Sequence, residues 1–155
     1  MGPIKWFLGM MVTRNHTVCT ISLSQTTYID TITILKHFHM TDSYGVSTPL
    51  YPNMVLSTTM SPTWEEAKQK MKGIPYLTGV GSLMYASMAT HLDITFATNH
   101  FSQFNSNPSL PNWTTLQHVL QYLKWTRDFV LTLGGETSAC LIGYTNSDYA
   151  GCMDI

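Results

Sequence analysis

Charge is what this sequence lacks most. Asp, Glu, Lys and Arg make up 11% of its 155 residues, against roughly 25% in an ordinary globular chain. The 8 Lys and Arg meet 9 Asp and Glu, so the net charge is -1. Neutralising phosphates supplies most of the affinity of proteins that grip nucleic acid unaided, and such proteins carry a basic excess. Tight, self-sufficient nucleic-acid binding is therefore not expected. Cysteine is scarce too: Cys19, Cys140 and Cys152 form no CxxC pair, which excludes a zinc ribbon or a disulfide framework. Reduced thiols in a cytoplasmic or nuclear protein are the simplest expectation. No apolar run approaches the ~20 residues that span a bilayer, and the opening Met1-Gly2-Pro3-Ile4-Lys5 lacks a secretory pattern. No membrane partner is expected. None of the six histidines stands four residues from another, as a helical zinc pair requires. A Gly-rich phosphate loop and a Gly-x-Ser-x-Gly elbow are both missing. No metal site and no cofactor follow from these residues.

Hydrophobic residues make up 44% of the chain, enough for one respectable core or two small ones. Residues 4–12 and 18–23 read as a β-hairpin around Arg14-Asn15-His16. Ser24 is placed to cap a helix in which Tyr28, Ile32, Leu35 and His39 share a face. Residues 41–62, with Gly45, Pro49, Pro52 and Pro62, read as an ordered connector. Thr63-Trp64-Glu65-Glu66 has the pattern of a capping box opening a short helix that ends near Gly73. Beyond Pro75, Leu77, Val80, Met84 and Met88 make one helical stripe. Asp93 is placed to cap a helix carrying Ile94, Ala97, Phe101 and Phe104, which Pro108 and Pro111 end. Asn112 then caps a helix with Trp113, Leu116, Leu120 and Leu123 on one face. Phe129 to Leu133, Gly134-Gly135 and Cys140 to Tyr144 suggest a terminal β-hairpin. The expected class is α+β: an N-terminal β-hairpin, a helical middle and a C-terminal β-hairpin.

The last of these strands runs into Gly143-Tyr144-Thr145-Asn146-Ser147-Asp148-Tyr149-Ala150-Gly151. It resembles the opening strand of the RNase H domain in copia-type retrotransposon Pol polyproteins. Seven further stretches resemble earlier landmarks of the same polyproteins, in the same order. They are Trp6 to Met10, Ile21 to Gln25, Val46 to Leu50, Tyr76 to Tyr85, Leu92-Asp93-Ile94, Asn112-Trp113 and Tyr122-Leu123-Lys124. The resemblance implies three segments. Residues 1–62 would be the end of a reverse-transcriptase palm and a thumb-like segment, and residues 63–128 connection-like helices. Residues 129–155 would be the truncated start of an RNase H-like domain.

For the parent, the resemblance implies RNA-directed DNA synthesis coupled to RNA hydrolysis, with magnesium as the nuclease metal. RNase H chemistry uses two divalent metals held by hard, anionic oxygens. Asn146 stands where the family places the first aspartate ligand, and a neutral amide cannot supply that charge. Asp148 would share the face of Asn146 on a strand, and Asp154 is the one later carboxylate. The palm aspartates would lie upstream of residue 1. The expectation is a catalytically inactive remnant with no catalytic residue and no metal.

Trp6, Phe7 and Gly9 resemble the strand that grips the primer terminus, where an aromatic and backbone amides meet the sugar-phosphate chain. Lys36 lies on the helix that resembles the thumb, and Lys124 and Arg127 add cations near the end of the connection. Together they make the candidate contacts for an RNA–DNA hybrid, bound weakly. Lys68, Lys70 and Lys72 form a second basic stretch. The competing reading makes Trp6, Phe7 and Leu8 core residues and the lysines a solvated face. A third reading is self-association through apolar strands of the terminal hairpin, whose edge would otherwise stay unpaired.

Overall fold

The computed structural model describes residues 2–30, 38, 40, 42–52, 54–135, 143, 145 and 154. Among them the architecture is α+β, with one antiparallel four-stranded sheet, five α-helices and two short 3-10 turns. The strands β1 (Trp6–Phe7), β2 (Met10–Asn15), β3 (Thr20–Ser24) and β4 (Val130–Gly134) pair in that order.

The first expected strand is in fact folded back on itself. Leu8 and Gly9 take φ of 48° and 78°, the double positive φ of a type I′ turn. Phe7 therefore pairs with Met10 and Trp6 with Met11. The β2–β3 turn sits at residues 16–19, just past the expected Arg14-Asn15-His16. There the Asn15 carboxamide oxygen accepts from the Thr17 amide at 3.0 Å. The sequence did not anticipate where β4 would go. It lies against β3, with Leu23 opposite Leu131 and Ser22 opposite Thr132, whose hydroxyls are 3.0 Å apart. Gly134 closes this edge at φ 92°. A Cβ there would stand 2.2 Å from the Cys19 carbonyl oxygen, so glycine is required. The suggested partner of β4, Cys140 to Tyr144, lies outside the described residues except for Gly143.

Helix α1 is described over Thr26–Asp30. Gln25 holds the cap position, accepting from the Ile29 amide, and Ser24, one residue before it, supports the start with its hydroxyl, which accepts from the Thr26 amide at 3.2 Å. Helix α2 (Glu65–Met71) starts at the expected place, but the capping box does not form. Trp64 holds the cap position and no side chain caps the amides. Helix α3 (Tyr76–Ala89) buries Tyr76, Val80, Leu83 and Ser87, one face at steps of four, three and four. The stripe expected from Leu77, Val80, Met84 and Met88 is mostly outside: Leu77 is 64% and Met88 78% exposed. A helix carrying apolar residues all round gives periodicity little contrast, so neighbouring stripes compete.

Helix α4 (Thr95–Ser102) follows the 3-10 turn Leu92–Ile94. Ile94, Ala97, Phe101 and Phe104 are all buried, as their spacing predicts. Asp93 does not cap it. Its carboxylate accepts from the Tyr122 hydroxyl and lies 3.8 Å from His91 Nδ1. Helix α5 (Leu110–Trp125) begins earlier than expected, at a capping box of Ser109 with Asn112. Pro111 thus lies in the first turn of α5, where a missing amide costs nothing, and does not terminate α4. Leu116, Leu120 and Leu123 are fully buried against α3 and α4, with Trp113 partly buried beside them. The connector crosses α5: Val46 donates its amide to the Gln121 carbonyl at 3.4 Å, and the Tyr51 ring lies 3.8 Å from that of His118. The core thus belongs to the helices, and the sheet stands beside it.

Candidate nucleic-acid interface

The β1–β2 turn is the most exposed apolar feature of the sheet. Trp6, Phe7 and Leu8 are 54%, 56% and 70% exposed, so the core reading of these three residues is excluded. The reason is local. A two-residue I′ turn leaves β1 only two residues long, and β1 is an edge strand with a neighbour on one side. Alternation sends Trp6 and Phe7 to opposite faces of the sheet. Phe7 shares its face with Val12, Ile21 and Leu23, which line an open apolar surface rimmed by Arg14 and His16. Trp6 lies on the other face with Met11 and Thr13.

The turn is held from behind. The Tyr85 hydroxyl of α3 donates to the Leu8 carbonyl, and a Cβ on Gly9 would lie 3.4 Å from that hydroxyl. The Tyr85 ring meets Tyr28 edge-on at 4.6 Å between centroids, and Tyr28 donates to the Ser82 carbonyl at 3.2 Å. Burial raises the Tyr28 phenol above its usual pKa, the Ser82 bond opposing it and Tyr85 adding to it. Gln25, fully buried, accepts from the Thr90 hydroxyl at 2.6 Å and extends its amide toward the Tyr85 carbonyl at 3.5 Å. These residues fix the angle between turn and helix α3. Sequence reasoning singled out none of Gln25, Tyr28 or Tyr85 for this role. The available signal was Tyr85 itself, a polar-tipped aromatic in the middle of a largely apolar helix.

The candidate cations Lys124 and Arg127 do not stand at the turn. Lys124 donates to the Ser43 carbonyl at 2.7 Å, which ties α5 to the connector. Arg127 pairs with Asp30 at 3.0 Å and with Asp128 at 3.4 Å, and its carbonyl accepts from the Thr26 hydroxyl. It stands just before β4, at the sheet edge opposite β1, with β2 and β3 between. Lys36 lies outside the described residues. Lys68 and Lys70 lie on α2, which buries none of its side chains.

Among the described residues no three His, Cys, Asp or Glu side chains converge as a metal site would require. Asn146 and Asp148 lie outside those residues. Asp154 accepts from Ser57 and Thr58, and no group of three His, Cys, Asp or Glu forms around it among the described residues, so the described donors do not fit a magnesium pair. No helix among the described residues is long and apolar enough to cross a membrane.

No protein-family profile matches the chain, and no solved structure matches it. Curated relatives do. The retrovirus-related Pol polyprotein from transposon TNT 1-94 of Nicotiana tabacum is 40% identical over 99% of this chain, which spans 11% of that polyprotein. The corresponding polyprotein from transposon RE1 of Arabidopsis thaliana is 32% identical over 97% of the chain, spanning 10% of its own length. Secreted RxLR effector protein 161 of Plasmopara viticola is 40% identical over 54% of this chain and 59% of its own. The chain is thus a homologue, along nearly its whole length, of one short stretch of the Pol polyproteins of copia-type retrotransposons.

Proposed function

We propose that the chain is a non-catalytic stretch of a retrotransposon reverse transcriptase/RNase H polyprotein. On this reading it comprises a thumb-like and connection-like scaffold leading into the start of an RNase H-like domain. Among the described residues, its contact surface for an RNA–DNA hybrid is the β1–β2 turn. The observation that carries the reading is the exposed Trp6-Phe7-Leu8-Gly9 turn, pinned by Tyr85, in a chain that aligns from end to end with Pol polyproteins. Exposed aromatics next to free backbone suit stacking and sugar contact without sequence preference. The near-neutral charge, and the commitment of Lys124 and Arg127 to protein partners, make that contact weak.

The test has two arms. A labelled RNA–DNA hybrid incubated with the chain and Mg²⁺ or Mn²⁺ should stay intact, and metal-dependent cleavage abolished by Asp148→Ala would overturn the non-catalytic assignment. In a binding titration, log K should fall against log salt with a slope no steeper than about -2, which corresponds to about two phosphate contacts. Trp6→Ala with Phe7→Ala should remove the binding. Binding that survives this double change would refute the turn as the contact.

A further inference from the structure

Asp154 is the only charged residue described beyond β4, and it is bound at a built site in the connector. Ser57 caps the 3-10 turn Thr58–Met60 with its side chain, accepting from the Thr59 amide at 3.2 Å. The same hydroxyl donates to Asp154 Oδ1 at 2.8 Å. Thr58 gives two more donors, its hydroxyl to Oδ1 at 2.9 Å and its amide to Oδ2 at 2.9 Å. Ser57 has one proton and spends it on Asp154. The 3.1 Å contact between Ser57 Oγ and Thr59 Oγ1 must then run with Thr59 as donor. The hydroxyls of Ser57 and Thr58 and the Thr58 amide therefore point to the carboxylate, while Thr59 donates through its amide and hydroxyl to the Ser57 hydroxyl that serves it. An ionised acid, with no proton of its own and strong acceptor sites on both oxygens, suits these three donors best.

We infer that the Ser57-Thr58-Thr59 turn is a carboxylate receptor whose occupant is this chain's own Asp154, latched there to the connector. Ser57 is buried and Asp154 exposed, so the receptor is part of the folded body and the carboxylate comes to it. The Thr58 amide, then the Ser57 hydroxyl, hold Asp154 below the usual aspartate range, and His100 adds attraction when it carries a proton. The latch joins two parts of the chain 97 residues apart. It gives Asp154 a role as a hydrogen-bond acceptor, and it stands whether or not the chain touches nucleic acid.

Nuclear magnetic resonance on the full chain tests this directly. In the wild type the Asp154 carboxyl carbon should titrate below 3.8, the value of an unperturbed aspartate, and Ser57→Ala with Thr58→Val should raise it part of the way toward that value, because the two hydroxyls are lost and the Thr58 amide stays. Asp154→Asn should move the Thr58 amide resonance and speed its hydrogen exchange severalfold, while the amide of Leu120 in α5 keeps its shift. A wild-type carboxyl titrating at the ordinary value would overturn the latch. So would a Thr58 amide indifferent to Asp154→Asn. The wild-type titration needs no variant, so a substitution that unfolds the chain cannot rescue the idea.

Discussion

Replacing Leu83 and Met88 by alanine, one at a time, separates the two faces of α3. Leu83 is fully buried and Met88 is 78% exposed, although both are large apolar residues of one helix. Leu83→Ala removes about three buried methylene equivalents, worth ~2.4 kcal/mol at about 0.8 each. The cavity left between α3 and its neighbours raises the cost to about 3–5 kcal/mol, because a core wall relaxes only in part. Met88→Ala removes side chain already in water and should stay within about 0.5 kcal/mol. In urea, with a slope near 2 kcal/mol/M, Leu83→Ala should lower the unfolding midpoint by about 1.5 M or more. Met88→Ala should leave it in place. Equal midpoints, or a larger loss for Met88→Ala, would mean that Leu77, Met84 and Met88 form the packed face and that the burial described for α3 is wrong.

Other expectations follow from single positions. Gly81 lies in α3 with nothing within 4 Å of an added Cβ, so Gly81→Ala should stabilise by about 0.5–1 kcal/mol, seen as a raised Tm. Gly134→Ala should instead release the β3–β4 edge, measured as loss of exchange protection at Ser22 and Leu131. Unchanged protection there would contradict the pairing. Burial lowers the pKa of His91, with Asp93 opposing, and of His118, with the Thr48 backbone opposing. The unfolded chain then takes up these protons first, near pH 6.5. The stability they contribute is complete above that pH and declines as pH falls toward the folded values. A Tm that is flat between pH 7.5 and 5.5 would refute this. Truncation after Arg127 removes β4 and bares β3, so it should cost stability and solubility, read by size-exclusion chromatography. An improved monomer would show that β4 contributes nothing to the sheet.

The helices were the most legible part of the sequence. In α4 and α5 the apolar spacing named residues that are buried: Ile94, Phe101, Leu116, Leu120. Their caps were less legible, because Ser109 and Asn112 cap as a pair and Pro111 looks like a stop until Ser109 is seen as the start. Helix α3 misled because its apolar residues surround it, and burial there is decided by which helices pack on it. In the sheet, local pattern indicated the strands of the first hairpin but not the I′ turn, since Leu8 is an unusual residue at positive φ. The pairing of β4 with β3 is set by contacts across most of the chain, which no local pattern encodes. At the candidate interface Trp6 and Phe7 are exposed, where the competing reading of the sequence placed them in the core. Their support by Tyr85, Tyr28 and Gln25 exists only once α3 is packed behind the turn.

The sheet's last strand also has a history in time. Ser22 and Thr132 face each other across 110 residues. At a synthesis rate of about 5–20 residues per second, β3 waits roughly 5–22 s for its partner to be made. During that interval its outer amides and carbonyls lie bare beside Ile21 and Leu23. Closing so long a loop carries an entropy cost that rises only slowly with length, about 0.6 kcal/mol per doubling. The delay itself is therefore the hazard. A nascent chain can pair that edge with another nascent chain before its own β4 leaves the ribosome. A holdase chaperone bound to β3 during that interval, and dispensable afterwards, would decide how much of the chain reaches the folded state.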